Sequence, residues 1–264
     1  MLLMLPFLHI GPLTIASYGT MVLLGILSGV LLIWLRARRH LFPFQDALFA
    51  YTYGILGLVI GAKLFYLVHA IPQLVVILSE QAASLDLFIG MLTSGFVFYG
   101  GLLGGLAGIL IYAKQFGIPF SNLLEIIIPA VPLAHGFGRV GCFMAGCCYG
   151  IPYDGPFCVV FELSPVAPLY TSLFPVQLLE SMLLFLLTAF LLVFDKYSKK
   201  PLSLTGLYLL LYSVIRMVTE VLRGDEIRGS FLFFSTSQWI SIALFIVGII
   251  VLIRMKNPRQ SRQE

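Results

Sequence analysis

The chain has 264 residues, of which 59% are hydrophobic and 11% are charged, and its mean hydropathy is +1.01. A typical soluble domain has about 25% charged residues, and a soluble fold of this length needs more polar surface than this composition offers. The composition therefore excludes a cytosolic enzyme, a nucleic-acid-binding protein and a disordered chain. It predicts an all-α, polytopic integral membrane protein.

Seven segments are apolar enough to span a bilayer, which takes about 20 residues each. In chain order, the predicted transmembrane helices are residues 18–35, 47–68, 95–113, 123–145, 174–194, 204–222 and 236–253. The fourth contains Pro129 and Pro132, which a membrane helix tolerates where its neighbours satisfy the freed backbone groups. We interpret residues 1–264 as a single transmembrane domain.

Basic residues follow the odd-numbered spans, for example Arg36, Lys114 and Arg254. The connections at 71–93 and 146–173 contain no Lys or Arg. The positive-inside rule therefore predicts an N-terminus outside, two extracytoplasmic loops at 71–93 and 146–173, and a cytoplasmic tail at 254–264. The glycines and prolines of the second loop indicate ordered turns.

Ionisable side chains within the predicted spans are costly and are functional-site candidates by default. They are Lys63, Arg139, Glu180, Arg216 and Glu220, with Arg223 at the outer end of the sixth span. Arg216, Glu220 and Arg223 have helical spacing, which predicts one stripe with the acid between two guanidiniums. The surplus positive charge suits a lipid phosphate, which fits the planar guanidinium. A structural Arg–Glu–Arg triad is the alternative.

Glycines recur on the third span at the spacing typical of close helix packing. Gly100, Gly104 and Gly108 share one helix face, and Gly101 and Gly105 share another. No strand precedes them, so they do not form a dinucleotide-binding fingerprint.

The most specific string runs from Gly138 to Gly150 and reads GRVGCFMAGCCYG. It resembles the signature of prolipoprotein diacylglyceryl transferases, Gly-Arg-x-Gly-Asn-Phe-x-Asn-x-Glu-x-x-Gly, with the spacing kept throughout. Further blocks extend the resemblance over nearly the whole chain, at residues 10–19, 61–66, 175–180, 216–223 and 235–238. The resemblance implies the seven-span fold of that family, with its N-terminus outside.

The resemblance also implies transfer of a diacylglyceryl group from phosphatidylglycerol to the lipobox cysteine of a preprolipoprotein, the first step of lipoprotein maturation. The setting would be the bacterial inner (plasma) membrane, with the two substrates and the bilayer as partners, no nucleic acid, no cofactor and no metal. The implied catalytic residues are Arg139, Arg216, Tyr99 and Glu220. The implied substrate-binding residues are Tyr18, Lys63, Gly100, Gly101, His135, Gln177, Glu180, Arg223 and Gln238.

Several signature positions depart from the family pattern. Cys142 and Ala145 replace the two asparagines, Cys147 replaces the glutamate, and Tyr99 stands where the family has a histidine. A phenol is protonated at neutral pH and is a poor general base, so His135 and Tyr18 are further candidates for activating the thiol. The departures also leave open an alternative, a catalytically silent or altered relative that binds or transports an anionic lipid or solute.

The four cysteines cluster around the end of the fourth span, at Cys142, Cys147, Cys148 and Cys158. Disulfides are one interpretation, because the loop faces an oxidising side in many cells, although adjacent cysteines do not pair without strain. Free thiols are the second. A four-thiolate zinc site is the third, but the spacing lacks the usual paired Cys-x2-4-Cys knuckles.

Overall fold

The computed structural model describes residues 6–11, 13–79, 95, 97–164, 166–197, 201–225 and 230–254. Its helices are α1 (Ser17–Arg39), α2 (Phe44–Ser79), α3 (Phe98–Phe116), α4 (Phe120–Ile127), α5 (Ala130–Ala145), α6 (Val176–Phe194), α7 (Ser203–Val221) and α8 (Thr236–Arg254). Short antiparallel pairs join β1 (Phe7–Ile10) to β2 (Leu13–Ala16), β3 (Val159–Val160) to β4 (Ser172–Leu173) and β5 (Ser230–Phe231) to β6 (Phe234–Ser235).

Every predicted span overlaps one of these helices or a helix pair. Within the described ranges, α1, α2, α6, α7 and α8 are each long and apolar enough to cross a membrane. The α4–α5 pair makes a sixth crossing if its 43° bend is counted inside one span. The bend falls at Pro129, which cannot donate a backbone hydrogen bond. The protein is therefore an all-helical integral membrane protein, while the seventh span, at α3, stays a prediction.

Helix α2 is longer than the predicted second span. It continues past Pro72 to Ser79, so the beginning of the connection predicted at 71–93 is helical. Membrane helices accommodate proline through adjustments of their neighbours. The rest of that connection, residues 80–94, and the tail beyond Arg254 lie outside the described residues.

The chain forms two compact units. One contains residues 1–36 and 124–264, and the other contains residues 37–123. All three buried arginines of the predicted site belong to the first unit, whereas Lys63 and Tyr99 belong to the second.

In the second unit, α2 and α3 touch backbone to backbone through their glycines. A Cβ atom on Gly104 would lie 2.1 Å from the carbonyl oxygen of Gly57, and one on Gly100 would lie 2.3 Å from that of Gly61. Gly108 meets the carbonyl of the next turn of α2 in the same way. No larger side chain fits such a contact, which confirms the predicted packing role of this glycine face.

Two groups of buried apolar side chains lie among the described residues of the first unit. The larger lies mainly between α6 and α7 and contains Ile128, Leu184, Leu187, Leu191, Leu204, Tyr208 and Tyr212. The smaller joins the end of α5 to the loop 146–173 and contains Phe143, Val159, Phe161, Ala167 and Leu173. Because it has buried apolar residues of its own, the loop is ordered as predicted, and it fixes the segment that follows α5.

Buried polar contacts tie the first unit together at the end of α1. The Arg36 guanidinium donates to an Asp195 carboxylate oxygen at 2.8 Å and to the Glu125 carbonyl oxygen at 2.8 Å. The Glu125 carboxylate in turn accepts from the backbone N–H groups of Leu204 and Thr205. A carboxylate at the first turn of α7 satisfies donors that the helix itself leaves unpaired. Arg36, one of the basic residues from which the orientation is predicted, is thus buried and structural.

Candidate functional site

Glu180 on α6 lies at the centre of a buried group of charged side chains. Only 1% of its side chain is exposed. Its Oε1 atom is 3.1 Å from Nη2 of Arg139 on α5 and 3.7 Å from Nη1 of Arg216 on α7. Neither contact has hydrogen-bond geometry, so charge holds the three groups together. The structure therefore contains an Arg–Glu–Arg triad, but its acid is Glu180 and its arginines come from two different helices.

Arg216 has a second acid one turn along its own helix. Its Nη2 donates to Glu220 and, at 3.2 Å, to the hydroxyl of Ser237. The i, i+4 pair between Arg216 and Glu220 confirms the predicted stripe over this part of α7. Glu220 also accepts from the Ser235 hydroxyl at 2.8 Å, which fixes the carboxylate from the start of α8.

Gln238 has a structural partner at the start of α8. Its side-chain oxygen accepts from the backbone N–H of Ser235 at 2.9 Å, while the Ser235 hydroxyl accepts from the Gln238 N–H at 3.2 Å. This reciprocal pair is a capping box, in which two orphan donors of a helix N-terminus are satisfied. The Ser-x-x-Gln spacing could have predicted it, and it explains Gln238 without a ligand.

Arg223 was predicted to continue the stripe of Arg216 and Glu220. It lies beyond the end of α7 and does not do so. Its guanidinium makes two parallel bonds to Asp225, at 2.9 and 2.8 Å. An antiparallel bridge between Gly150 and Arg223 fastens this segment to the loop after α5. The predicted surplus of positive charge is therefore smaller than expected, because each arginine has an acid beside it and Asp225 was not recognised in the sequence.

Two arginine nitrogens are nevertheless left for another acceptor. Nη1 of Arg216 and Nη1 of Arg223 are buried and have no hydrogen-bond partner among the described residues. The Arg216 side chain is 9% exposed and that of Arg223 is 3% exposed. Unsatisfied buried donors are costly, and charge-assisted bonds to phosphate oxygens would satisfy them.

His135 is engaged by the same group of charges. Its Nε2 atom accepts from Nε of Arg139 at 3.2 Å and is 4.0 Å from Oε1 of Glu180. Its ring packs against Tyr212, with ring centroids 5.7 Å apart. A nitrogen that accepts a hydrogen bond from a guanidinium has its lone pair occupied. His135 therefore orients Arg139 and is poorly placed to accept a proton from a thiol.

Three cysteines come together at the end of α5. The sulfur atoms of Cys142, Cys147 and Cys148 all lie within 4.8 Å of one another, whereas Cys158 is exposed in the loop. All four are free thiols in the structure, so neither disulfide pairing nor a four-thiolate site describes this arrangement. The sequence could not show that three of the four converge.

The thiols of the loop differ in their acidity. Hydrogen bonds with Cys142 and Cys147 hold the pKa of Cys148 below its usual range, and the charges of Arg223 and Arg139 add to that effect. The hydrogen bond with Cys142 lowers the pKa of Cys147, but the bond with Cys148 and burial outweigh it and raise the pKa to about 11. Of these two loop thiols, Cys148 is therefore the more acidic.

Two further predicted residues border the cysteines. The Gln177 amide nitrogen donates to the carbonyl oxygen of Cys147 at 2.8 Å, and its buried amide oxygen has no hydrogen-bond partner among the described residues. Tyr18 on α1 packs against Gly141, where an added Cβ would lie 3.2 Å from its ring. Both thus belong to the first unit's site, Gln177 as a support of the cysteine loop.

The remaining predicted residues belong to the second unit. The Lys63 ammonium lies over the ring of Tyr66, 4.8 Å from its centroid. Gly100 and Gly101 lie in the α2–α3 interface, where a Cβ added to Gly101 would lie 3.3 Å from the Leu58 side chain and 3.4 Å from that of Ala62. These contacts explain the two glycines by helix packing, and Tyr99 is half-buried on α3.

Comparison with known proteins identifies the family whose sequences this chain resembles. The sequence profile of the family described as prolipoprotein diacylglyceryl transferase matches residues 6–254. A phosphatidylglycerol–prolipoprotein diacylglyceryl transferase of Clostridium tetani (strain Massachusetts / E88) is 39% identical over 240 residues, covering 90% of this chain and 92% of the relative. Its counterpart numbered 2 from Clostridium perfringens (strain 13 / Type A) is 33% identical over 253 residues, covering 96% and 94%.

A third relative of the same name, from Vibrio vulnificus (strain YJ016), is 31% identical over 264 residues, covering 93% of this chain and 89% of its own. The similarity therefore extends across both compact units. This chain belongs to the prolipoprotein diacylglyceryl transferase family.

Proposed function

We propose that this protein transfers the diacylglyceryl group of phosphatidylglycerol to the lipobox cysteine thiol of a prolipoprotein. Family membership and the names of its relatives support this activity. The observation in the structure that favours it most is the pair of buried, unsatisfied guanidinium nitrogens on Arg216 and Arg223. A lipid phosphate is the kind of anion that such donors bind.

The reaction forms a carbon–sulfur bond and breaks the bond between the glyceryl carbon and a phosphate oxygen. The electron pair of that bond leaves with the phosphate, so the enzyme has to stabilise growing negative charge. We assign this role to Arg139, Arg216 and Arg223. Glu180, Glu220 and Asp225 would hold the three guanidiniums in fixed orientations, because each lies within ion-pair distance of at least one of them.

The proposed roles of the other residues follow from their contacts. His135 positions Arg139, to which it is hydrogen-bonded, and Gln177 supports the cysteine loop. Tyr18 borders that loop as a substrate contact. For Tyr99 and Lys63 in the second unit, the proposed roles in proton transfer and headgroup binding rest on the sequence alone.

The topology is part of the proposal. Seven spans in one transmembrane domain, with the N-terminus outside and the tail inside, would place the loop 146–173 on the outer face of the bacterial inner membrane. Cys158 offers a direct test, because it is exposed in that loop. A membrane-impermeant maleimide should label the wild type in intact spheroplasts more strongly than the control variant Cys158→Ser. Labelling of Cys158 only after lysis would contradict the topology.

The activity test uses the purified full-length protein, phosphatidylglycerol labelled in its diacylglyceryl part and a lipobox peptide. Label should appear on the peptide with the wild type and disappear with Arg139→Ala. The matched control is Arg254→Ala, since Arg254 is exposed at the end of α8, and it should transfer normally. Lipid that co-purifies with the wild type and is never transferred would contradict the proposed activity and favour a lipid-binding relative.

A further inference from the structure

The three convergent thiols form a site that the proposed arginine mechanism leaves without a role. We propose that Cys142, Cys147 and Cys148 bind a thiophilic metal ion, Zn²⁺, whose fourth position takes the thiol of the acceptor cysteine. The inference rests on the proposed function for the identity of that fourth ligand, while the metal site itself rests on the geometry of this chain. It departs from the expectation of no metal, and it differs from the four-thiolate zinc site considered for the sequence because only three of the four cysteines converge.

The distances suit zinc. Three sulfurs around a tetrahedral Zn²⁺ with bonds of about 2.3 Å lie roughly 3.8 Å apart. The three sulfurs here lie within 4.8 Å of one another, so each pair needs to close by at most about 1 Å. Side-chain rotation alone covers such a distance. Three protein ligands and one open position is the arrangement of catalytic rather than structural zinc sites.

The backbone holds the three cysteines in this arrangement. Gly146 ends α5 with φ of +71°, and the Cys147 N–H donates to the carbonyl oxygen of Cys142 at 3.0 Å. Cys148 has φ of +57°, a left-handed conformation that is strained for a residue with a side chain. Strain of this kind persists where the surroundings fix it, and it is frequent at functional sites. The Gln177 amide fixes this turn by donating to Cys147.

The surrounding charges favour such a site. Three thiolates around Zn²⁺ leave a net negative charge, and a fourth thiolate increases it. Arg139 and Arg223 both interact electrostatically with Cys148, so positive charge lies beside the sulfurs. The same arginines are those assigned to the phosphate, which brings the proposed acceptor site next to the proposed donor site.

Metal binding would also activate the acceptor thiol, a step for which His135 is poorly placed. The lone pair of His135 Nε2 is engaged by Arg139. A thiol that coordinates Zn²⁺ loses its proton, and the thiolate is the form that attacks carbon. The released proton goes to water, the sulfur forms its bond to the glyceryl carbon, and the phosphate oxygen keeps the electron pair of the broken bond. The thioether product is a weak ligand and leaves the metal.

The first experiment measures metal binding without any need for activity. The reduced full-length protein in detergent is titrated with Co²⁺, and thiolate-to-cobalt charge-transfer absorption reports sulfur ligation. Wild type and Cys158→Ser should bind one ion per chain, displaced by Zn²⁺. Cys142→Ser and Cys148→Ser should each bind at least about tenfold more weakly, with monodisperse elution showing that they fold.

Three results would overturn the metal site. The first is the absence of cobalt–thiolate absorption in the reduced wild type, and the second is unchanged binding in both Cys142→Ser and Cys148→Ser. Thiol counting on protein taken from native membranes provides a third, because a disulfide among the three cysteines would remove two of the ligands.

The second experiment separates the metal site from the proposed function. A lipobox peptide should change the cobalt spectrum when it contains cysteine and leave it unchanged when that cysteine is serine. Transfer by chelator-treated, metal-free protein should fall at least about tenfold and return with Zn²⁺. Full transfer without metal would refute this inference and leave the proposed function standing. A peptide-dependent cobalt spectrum without any transfer in the zinc-loaded protein would refute the proposed function and leave the metal site standing.

Discussion

Replacing Glu180 by glutamine tests whether charge at the centre of the triad holds the first unit together. The substitution keeps the shape of the side chain and removes its charge. Glu180 is 1% exposed and lies 3.1 Å from Arg139 and 3.7 Å from Arg216. In Glu180→Gln both guanidiniums stay buried, while the carboxylate between them is lost.

The size of the effect follows from what each arginine keeps. Removing one partner of a buried ion pair costs about 3–5 kcal/mol, because the other charge is left uncompensated. Arg216 retains its bond to Glu220, so most of the loss falls on Arg139, whose carboxylate partner among the described residues is Glu180. We therefore expect a loss near the lower end, about 3 kcal/mol.

The assay is unfolding of the detergent-solubilised protein by heat or denaturant, with Glu162→Gln as the matched control. Glu162 is exposed in the loop 146–173, and its substitution should change stability by no more than about 0.5 kcal/mol. Phosphatidylglycerol should raise the stability of Glu180→Gln more than that of the wild type, since an anion would replace the lost charge. Equal stability of Glu180→Gln and Glu162→Gln would refute the argument from the buried ion pair.

Three further predictions test other parts of the structure. Arg139→Lys should reduce transfer at least about tenfold, equivalent to ~1.4 kcal/mol, because lysine lacks the planar fork; near-normal turnover would count against bidentate phosphate binding. Gly104→Ala should destabilise the α2–α3 pair in unfolding experiments, since the new Cβ would lie 2.1 Å from a carbonyl oxygen. The control is Gly19→Ala, whose new Cβ meets open space; its free energy of unfolding should stay unchanged or rise by up to about 1 kcal/mol. Asp195→Asn should lower stability by about 3–5 kcal/mol through the buried pair with Arg36, without changing the affinity for phosphatidylglycerol measured by lipid titration; weakened lipid binding would mean that this pair also supports the site.

Much of the local structure could be predicted from residue order. The helix positions follow from runs of apolar residues, and each predicted span overlaps an observed helix or helix pair. The contact between Arg216 and Glu220 follows from the helical repeat, because residues four apart share a face. The backbone contacts of Gly100 and Gly104 follow from small-residue spacing in the same way.

The differences concern which nearby group a polar side chain contacts. Arg223 was predicted to flank Glu220, but α7 ends at Val221 and its guanidinium turns to Asp225. Gln238 caps α8, a structural role that was not predicted, and its substrate contact stays a prediction. In both cases the sequence pattern marked a polar residue, but it did not show which of several nearby groups that residue contacts.

The sequence by itself determined the membrane environment, the helices, the family and the identity of the three arginines, because these depend on composition, on the 3.6-residue helical period and on a motif of fixed spacing. Only the tertiary structure decided that Glu180 on α6 lies between Arg139 of α5 and Arg216 of α7, and that Cys142, Cys147 and Cys148 converge without Cys158. Such contacts depend on how helices are rotated and packed against one another, and on the path of a turn whose Cys148 is left-handed. The local period of a sequence determines neither the packing of the helices nor the path of that turn.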